Sequence, residues 1–569
     1  MVISLYEKER EYKDRISKKF MVALNYYFDD FLMLNPEHAS SLGLTRHDKD
    51  SKDYSDAGYE KDLHLNLETK KKIRLINPFN LSLDEHVDFL LLKSRIDCFL
   101  FDHENLIQKR KNRPQLYLPT DSIYPFLFRT MKDKDRLEAI IARLSKVPKK
   151  IEQAKQNLDN PPRIWTEDTL KLLKPVKDFF KSLPDAEVIK NSARDYSELG
   201  NKLVEANNTC LTALEAYEHF LNVDLMERSH GEFCVGRQVF DHYLINHHFL
   251  EHSSGYLNEL GYELFNKTQA DIKALASHID KNKSTEALMS ELESQIVPAD
   301  KLLSTYKDLT EKTLNFVKDN NILEVPKNEK VLVVETPEFF RSIIPFAAYY
   351  CVWPYEESDT GHFWVTPVTE SDPEIQRQLL MDGHNLYRLP SIVLHESYPG
   401  HHHQLMFTKQ HVFGNEISTI RRDTFNTILL EGWATYCEQM MGEFGFYSDQ
   451  QKLFMLKQRL WRAARVIIDI ELHTGRKSFE ESVAFLVNKV GMSEKFARAE
   501  VLRYTMTPTQ PLSYEIGRRL INQLRDKEKI KRQEDFSIKQ FHAKLLSKGT
   551  LPIRLIEELA FNDKVEVKN

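Results

Sequence analysis

The chain has 569 residues, a net charge of −6, 41% hydrophobic and 29% charged residues, enough for two or three ordinary domains or one large enzyme of two lobes. Its 18 Gly and 22 Pro are too few for an all-β or disordered chain, so a mainly helical class is expected. The slight acidity gives no general attraction to nucleic acid or to anionic membrane, and neither is expected as a partner.

The opening "MVISLYEKEREYKDRISKKF" places charges where a secretory signal needs an apolar core. No later stretch reaches the about 18 apolar residues of a membrane span, so a cytoplasmic protein is expected. Cys98, Cys210, Cys234, Cys351 and Cys437 are scattered, with no Cys-x-x-Cys pair. That pattern fits reduced thiols used in packing and excludes a cysteine zinc cage.

Up to about residue 320, apolar residues recur at three and four spacing, as in "DRLEAIIARLSKVPKKIEQAKQNL" and "KLLSTYKDLTEKTLNFVKD", which predicts a succession of amphipathic helices. "FDHYLINHHFLEH" carries His242, His247, His248 and His252 but no matching carboxylate pair, so a helix is expected there rather than a second metal site. The texture changes at Val331, Val333 and Val334, a β-branched run that Pro337 stops, and again at "HFWVTPV", residues 362–368. These predict a small sheet. Helices resume at Ile392 and run to the end. The expected division is a helical N-terminal lobe, residues 1–320, and a catalytic lobe, 321–569. The charge run "DKEKIKRQED", residues 526–535, is expected on a solvated face.

Between sheet and C-terminus lies "LPSIVLHESYPGHHHQLMF". A catalytic zinc takes three ligands from His, Glu or Asp and keeps a fourth position for water. His395 supplies a first ligand and Glu396 a neighbouring carboxylate. In a continuous helix His401 would lie about 9 Å further along the axis, too far to share an ion with His395. Pro399, however, has no amide hydrogen and its ring clashes with the carbonyl of His395, while Gly400 permits a sharp turn. The break brings a later imidazole back, with His401, then His402, then His403 as the order of candidates. The third ligand is expected from "NTILLEGWATYCEQMM", where Glu431 sits in an apolar run; a lone buried carboxylate is costly unless paired or bound to metal. Glu438 and Thr435 share its helical stripe, and Glu438 is placed to orient a ligand histidine.

Further on, "LWRAARVIIDIELH" aligns Arg462, Arg465, Asp469 and His473 on one narrow stripe of an otherwise apolar helix. Such a stripe lines a cavity or forms an ion-pair network, the plainer reading being an Arg465–Asp469 pair within the helix. Arg462 and Arg465 are candidate substrate-binding cations and His473 a candidate catalytic group. In "RYTMTPTQPLSYEIG", Arg503 suits bidentate recognition of a carboxylate, and Tyr504 or Tyr514 could donate a hydrogen bond to an oxyanion.

"HESYPGHHHQ", "EGWATYCE", "LWRAARVIIDIELHTGRKSFEES" and "EVLRYTMTPTQPLSYEIGRRL" together resemble the domain-of-unknown-function 885 family, a branch similar to the gluzincin metallopeptidases with His-Glu-x-x-Pro-Gly-His at its centre. "LNPEHASSLGL" and "ETPEFFRSIIPFAAYY" extend the likeness over most of the chain. The resemblance implies a zincin-like fold and one zinc ion on His395, His401 and Glu431; from the break itself His402 stays the alternative to His401. It also implies Glu396 as base and Arg503, Tyr504 and Tyr514 near the substrate. Two departures bear on pocket shape: "TPTQ" stands where Pro-Gly-Gln is more usual, and "GRKSF" where a Trp is common.

The expected activity is zinc-dependent hydrolysis of peptide or small amide substrates, with a carboxypeptidase-like preference suggested by Arg503. The strand from Phe363 to Val368 is expected to pair with an extended peptide. A non-peptide amidohydrolase fits the same chemistry. The alternative from another class is a non-catalytic helical scaffold that binds metal or peptide; Glu396 argues against it, because a structural site closes its fourth position.

Overall fold

The computed structural model describes residues 2–562, apart from 339–340, 342–343, 345, 351–353, 357 and 414–417; Cys351 lies outside the described residues. The chain is mainly helical with one small sheet among the described residues, the class that composition predicts. No helix of the described residues is long and apolar enough to cross a membrane. The charge run at residues 526–535 is mostly exposed, with Glu528 as its buried exception, paired to Arg532.

Two compact units form, one from Met1–Phe233 with Trp353–Ser358 and Ser418–Asp423, the other from Cys234–Val352, Asp359–Ile417 and Thr424–Asn569. The first is all helix apart from its connections, and its returning segments are fastened by buried charge. Arg421 donates to Asp88 at 2.6 Å, and Asp423 accepts from Arg95 and His38.

The division therefore falls after Phe233 and not near residue 320. The helices after Phe233 are amphipathic like those before it, so periodicity carries no mark of the change of unit. Their buried faces decide it. Helix α1 (Ser254–Ile279) directs Asn258 and Tyr262 onto Glu471, each at 3.2 Å. Helix α2 (Leu302–Asp319) lays Tyr306 edge-on to Phe363, ring centroids 5.5 Å apart. Both partners belong to the second unit, which carries every residue of the candidate site.

The sheet comprises β1 (Lys330–Glu335), β2 (Ala347–Tyr350) and β3 (Thr360–Val365) in the order β1-β3-β2, with β1 parallel and β2 antiparallel to β3. The two β-branched runs of the sequence are β1 and β3. Strand β2, "AAYY", carries no such run and is not predicted. Strand β3 is central, its backbone paired on both sides, so the expectation that Phe363–Val368 accepts a peptide strand is corrected: among the described residues β2 is the edge strand beside the site.

Helices α3 (Pro373–Gly383) and α4 (Leu389–Glu396) follow. Leu389 and Val393 of α4 join Val297, Leu302, Tyr306, Val333, Phe363 and Val365 in one buried cluster. That cluster fixes α4 against the sheet by apolar burial. Beyond it come α5 (His401–Thr408), α6 (Thr427–Glu443), α7 (Asp449–His473), α8 (Glu494–Met506) and α9 (Ser513–Arg532). Helices α6 and α9 cross at Gly432 and Gly517, where a Cβ on Gly517 would stand 1.9 Å from the Ile428 carbonyl oxygen. Only glycine permits that approach.

Candidate metal centre

The helix that begins at Leu389 stops at Glu396 and a new one starts at His401. Across the break the Gly400 N–H donates to the Leu394 carbonyl at 3.0 Å. A Cβ at Gly400 would lie 1.9 Å from the His395 carbonyl oxygen, so the fold needs glycine here for space and not for a left-handed backbone. Helix α6 clamps the same turn: Trp433 Nε1 donates to the Pro399 carbonyl at 2.9 Å. As a result the His395 and His401 rings lie 4.7 Å apart, centroid to centroid and near perpendicular.

Glu431, two residues before Trp433 on α6, completes the group. Its Oε2 is 3.5 Å from His395 Nε2 and 3.4 Å from His401 Nε2. His395, His401 and Glu431 each offer one ligand atom, all within 4.8 Å of one another, the one such group among the described residues. Glu431 Oε2 is buried and has no hydrogen-bond partner. The separations are long for hydrogen bonds. The two separations to Glu431 match the edge of a tetrahedron with bonds of about 2.0–2.1 Å to a central ion, an edge of about 3.3–3.4 Å. The residues thus fit a zinc-sized cation.

The surrounding charges favour this arrangement. Burial opposes ionisation of Glu431, but His395 and His401 hold its carboxyl well below the usual range. Glu438, one stripe further along α6, accepts from His395 Nδ1 at 2.7 Å, and Arg462 Nη1 of α7 donates to its other oxygen at 2.6 Å. Burial alone would lower the His395 pKa; Glu431 and Glu438 outweigh it and raise it to about 9. A carboxylate behind a ligating imidazole fixes its tautomer and raises its basicity.

His402 is engaged elsewhere. Its Nε2 meets Glu329 and its Nδ1 meets the Tyr349 hydroxyl at 3.0 Å, so of the two candidates it is His401 that joins His395 and Glu431. His403 is buried beside Trp433, and burial, with His402, His542 and His411 around it, lowers its pKa to about 3. Glu396, the last residue of α4, accepts the Tyr349 N–H of β2 through Oε2 at 3.0 Å.

The second wall differs from the expected one. Tyr514 is half-buried and stacks on His395 at 6.2 Å with the rings 14° from parallel, which places it against the metal group. Tyr504 does not reach it: fully buried, its hydroxyl accepts from Arg465 Nε at 2.9 Å and Trp461 Nε1 at 3.1 Å. Arg462 and Arg465 are buried and bound to Glu438 and Glu500, so they brace the wall instead of facing a substrate. His473 is also internal, its Nε2 2.9 Å from the Tyr504 carbonyl. Arg503 remains partly open, its side chain 37% exposed, and donates to Glu500 and Gln510.

Asp469 does not pair with Arg465. Fully buried, it accepts the N–H groups of Thr509 and Leu512 at 3.2 and 3.1 Å, and burial raises its pKa well above the carboxylate range. These bonds hold the loop that carries Gln510 and leads into Tyr514 at the start of α9. Thr509 adopts φ +70°, a conformation costly for a β-branched residue. The departure from Pro-Gly-Gln falls on this residue, and its hydroxyl is 2.9 Å from His248 Nε2.

The class defined by fold and site is a mainly helical protein whose second unit gathers a His-His-Glu group and a further carboxylate, Glu396, on the helix that carries His395. The chain belongs to the DUF885 family, bacterial proteins of unknown function, whose model matches residues 36–559. Among solved structures, "a putative lipoprotein of unknown function from Shewanella oneidensis" is 21% identical, covering 95% of this chain and 99% of its own, with a TM-score of 0.74. "The putative lipoprotein from Colwellia psychrerythraea" is 18% identical, covering 97% and 99%, with a TM-score of 0.77. Both share the fold. No curated protein matches the sequence.

Proposed function

We propose that the protein is a zinc-dependent hydrolase of peptide bonds in short peptides, carboxypeptidase-like, built on a zincin-like fold. The observation that carries this reading is the convergence of His395, His401 and Glu431 within 4.8 Å, with both imidazole Nε2 atoms at tetrahedral-edge separations from Glu431 Oε2. These residues would hold the ion. When bound, zinc lowers the pKa of a coordinated water to about 7 and polarises the scissile carbonyl.

The chain's own residues do the rest. Glu396, steadied through Oε2 by the Tyr349 N–H, takes a proton from the attacking water on its other oxygen and delivers it to the leaving amine. Tyr514, stacked on His395, donates its hydroxyl hydrogen to the oxyanion as it develops. Asp469 and Gln510 keep Tyr514 in place, and Glu438 with Arg462 fixes the His395 ring. Arg503, partly open, receives the substrate's terminal carboxylate.

The protein is proposed to be cytoplasmic, its buried Cys98, Cys210 and Cys437 being thiols, as reducing conditions favour. The carboxypeptidase assignment predicts that amidating the C-terminus of a cleaved peptide lowers kcat/KM by about a hundredfold, the loss of a charge-assisted contact of about 1.5–3 kcal/mol. Steady-state rates on paired free and amidated peptides measure this. Equal rates remove the exopeptidase preference and leave an endopeptidase.

A further inference from the structure

A cavity of about 250 Å³ lies in the second unit between α3, α7 and α8. Its lining is mixed: Met381, Phe454, Trp461, Val490, Met492 and Phe496 form an aromatic and apolar part, beside charged and polar residues that include Arg388 and Asp382. The charges at its rim are already engaged. Lys457 pairs with Glu293, Arg388 donates to the Asp382 carbonyl, and the Asp382 carboxylate accepts from Gln378 at 2.8 Å. The apolar part of this wall offers an incoming ring contact, while Arg388 and Asp382 are hydrogen-bonded only to neutral groups. A cavity of about 150 Å³ with aliphatic and aromatic walls already accepts benzene, so this one has room for a phenyl or indole group.

Two chains of contact connect the cavity to the candidate metal centre. Along α7, the Arg465 guanidinium lies 4.0 Å from the Trp461 ring and 4.4 Å from the Tyr514 ring, and Tyr514 stacks on His395. Along the sheet, Phe496 packs against Phe346 at 5.8 Å, immediately before β2. The Thr366 N–H donates to the Phe346 carbonyl at 2.8 Å, and antiparallel pairs alternate. Ala347 and Tyr349 therefore direct their backbone groups away from β3, toward the outer edge of the sheet, where the Tyr349 N–H meets Glu396. Tyr349 is the residue that meets Glu396, and Phe346 is three residues back, about 10 Å at strand rise.

We propose that this cavity is the side-chain subsite of the enzyme and that it selects a bulky aromatic residue of the Phe or Trp type, about three residues from the cleaved bond. The peptide lies along the β2 edge, with the bond to be cut beside Glu396 and the aromatic side chain in the cavity. This inference rests on the peptide-hydrolase reading. It adds the substrate class: short peptides with an aromatic residue at one fixed distance from the reacting carbonyl.

The test is calorimetric titration of the full-length, zinc-loaded Glu396→Gln protein with acetyl-X-Gly-Gly-Gly, X being Phe, Trp, Ala or Asp, which sets X three residues from the bond before the C-terminal Gly. The Phe and Trp peptides should bind about tenfold or more tightly than Ala, as burial of an aromatic side chain provides. Adding Gln378→Trp, a change at an exposed position of α3 that covers the cavity mouth, should bring the four affinities within about threefold while Ala binding is kept. Phe496→Ala, which removes one wall, should lower the preference as well. Binding of all four peptides with equal affinity, or a preference that both substitutions leave intact, overturns the subsite and spares the peptide reading. No binding of any peptide overturns both.

Discussion

Replacing Glu396 by Gln should leave the metal content unchanged and lower turnover by about 10²- to 10⁴-fold, the range for loss of a positioned general base. The substitution is nearly isosteric, and the Gln carbonyl oxygen can still accept the Tyr349 N–H that holds residue 396 against β2. What disappears is the charge that takes a proton. Glu396 is outside the group of three donor atoms, so metal affinity should not follow activity. Elemental analysis and peptide turnover on the same preparation separate the two quantities. Turnover within a few-fold of the unmodified protein would remove Glu396 from the role of base.

The second large effect is expected at Glu438. This carboxylate is 1% exposed and joins His395 Nδ1 to the Arg462 guanidinium. Glu438→Ala strands a buried cation, which costs about 3–5 kcal/mol of stability. It also frees the His395 ring, which should weaken metal binding by about 10- to 100-fold. Pairing the change with Arg462→Met should restore much of the stability, since no unpaired charge remains, and should not restore the metal affinity. Urea midpoints and titration against a competing chelator give the two readouts. Recovery of both in the double variant would reduce Glu438 to a partner of Arg462.

The chemistry of the Pro-Gly break is local, which is why it is legible in sequence. A ring without an N–H ends the helix wherever it stands, and Gly400 is needed because a Cβ would meet the His395 carbonyl. Glu431 and Glu438 are readable for a related reason: carboxylates in an apolar helix need buried partners.

The stripe on α7 shows the limit. Its 3.6-residue period correctly groups Arg462, Arg465, Asp469 and His473 but does not say what faces them. Their partners, Glu438, Glu500, the Thr509 loop and the Tyr504 carbonyl, come from distant helices. Glu329, which takes up His402, precedes a strand with nothing in its local sequence to mark it. Strand β2 and the unit boundary after Phe233 are likewise products of tertiary packing, since neither changes the local pattern of apolar residues.

Everything proposed for this site depends on one ion held by His395, His401 and Glu431, so the most direct measurement is metal content. The wild-type protein and Glu431→Ala, purified identically without chelator or added metal, are compared by elemental analysis. About one zinc per chain in the wild type and none in the variant is the predicted result. No stoichiometric metal in the wild type, or metal unaffected by the loss of Glu431, would contradict the account.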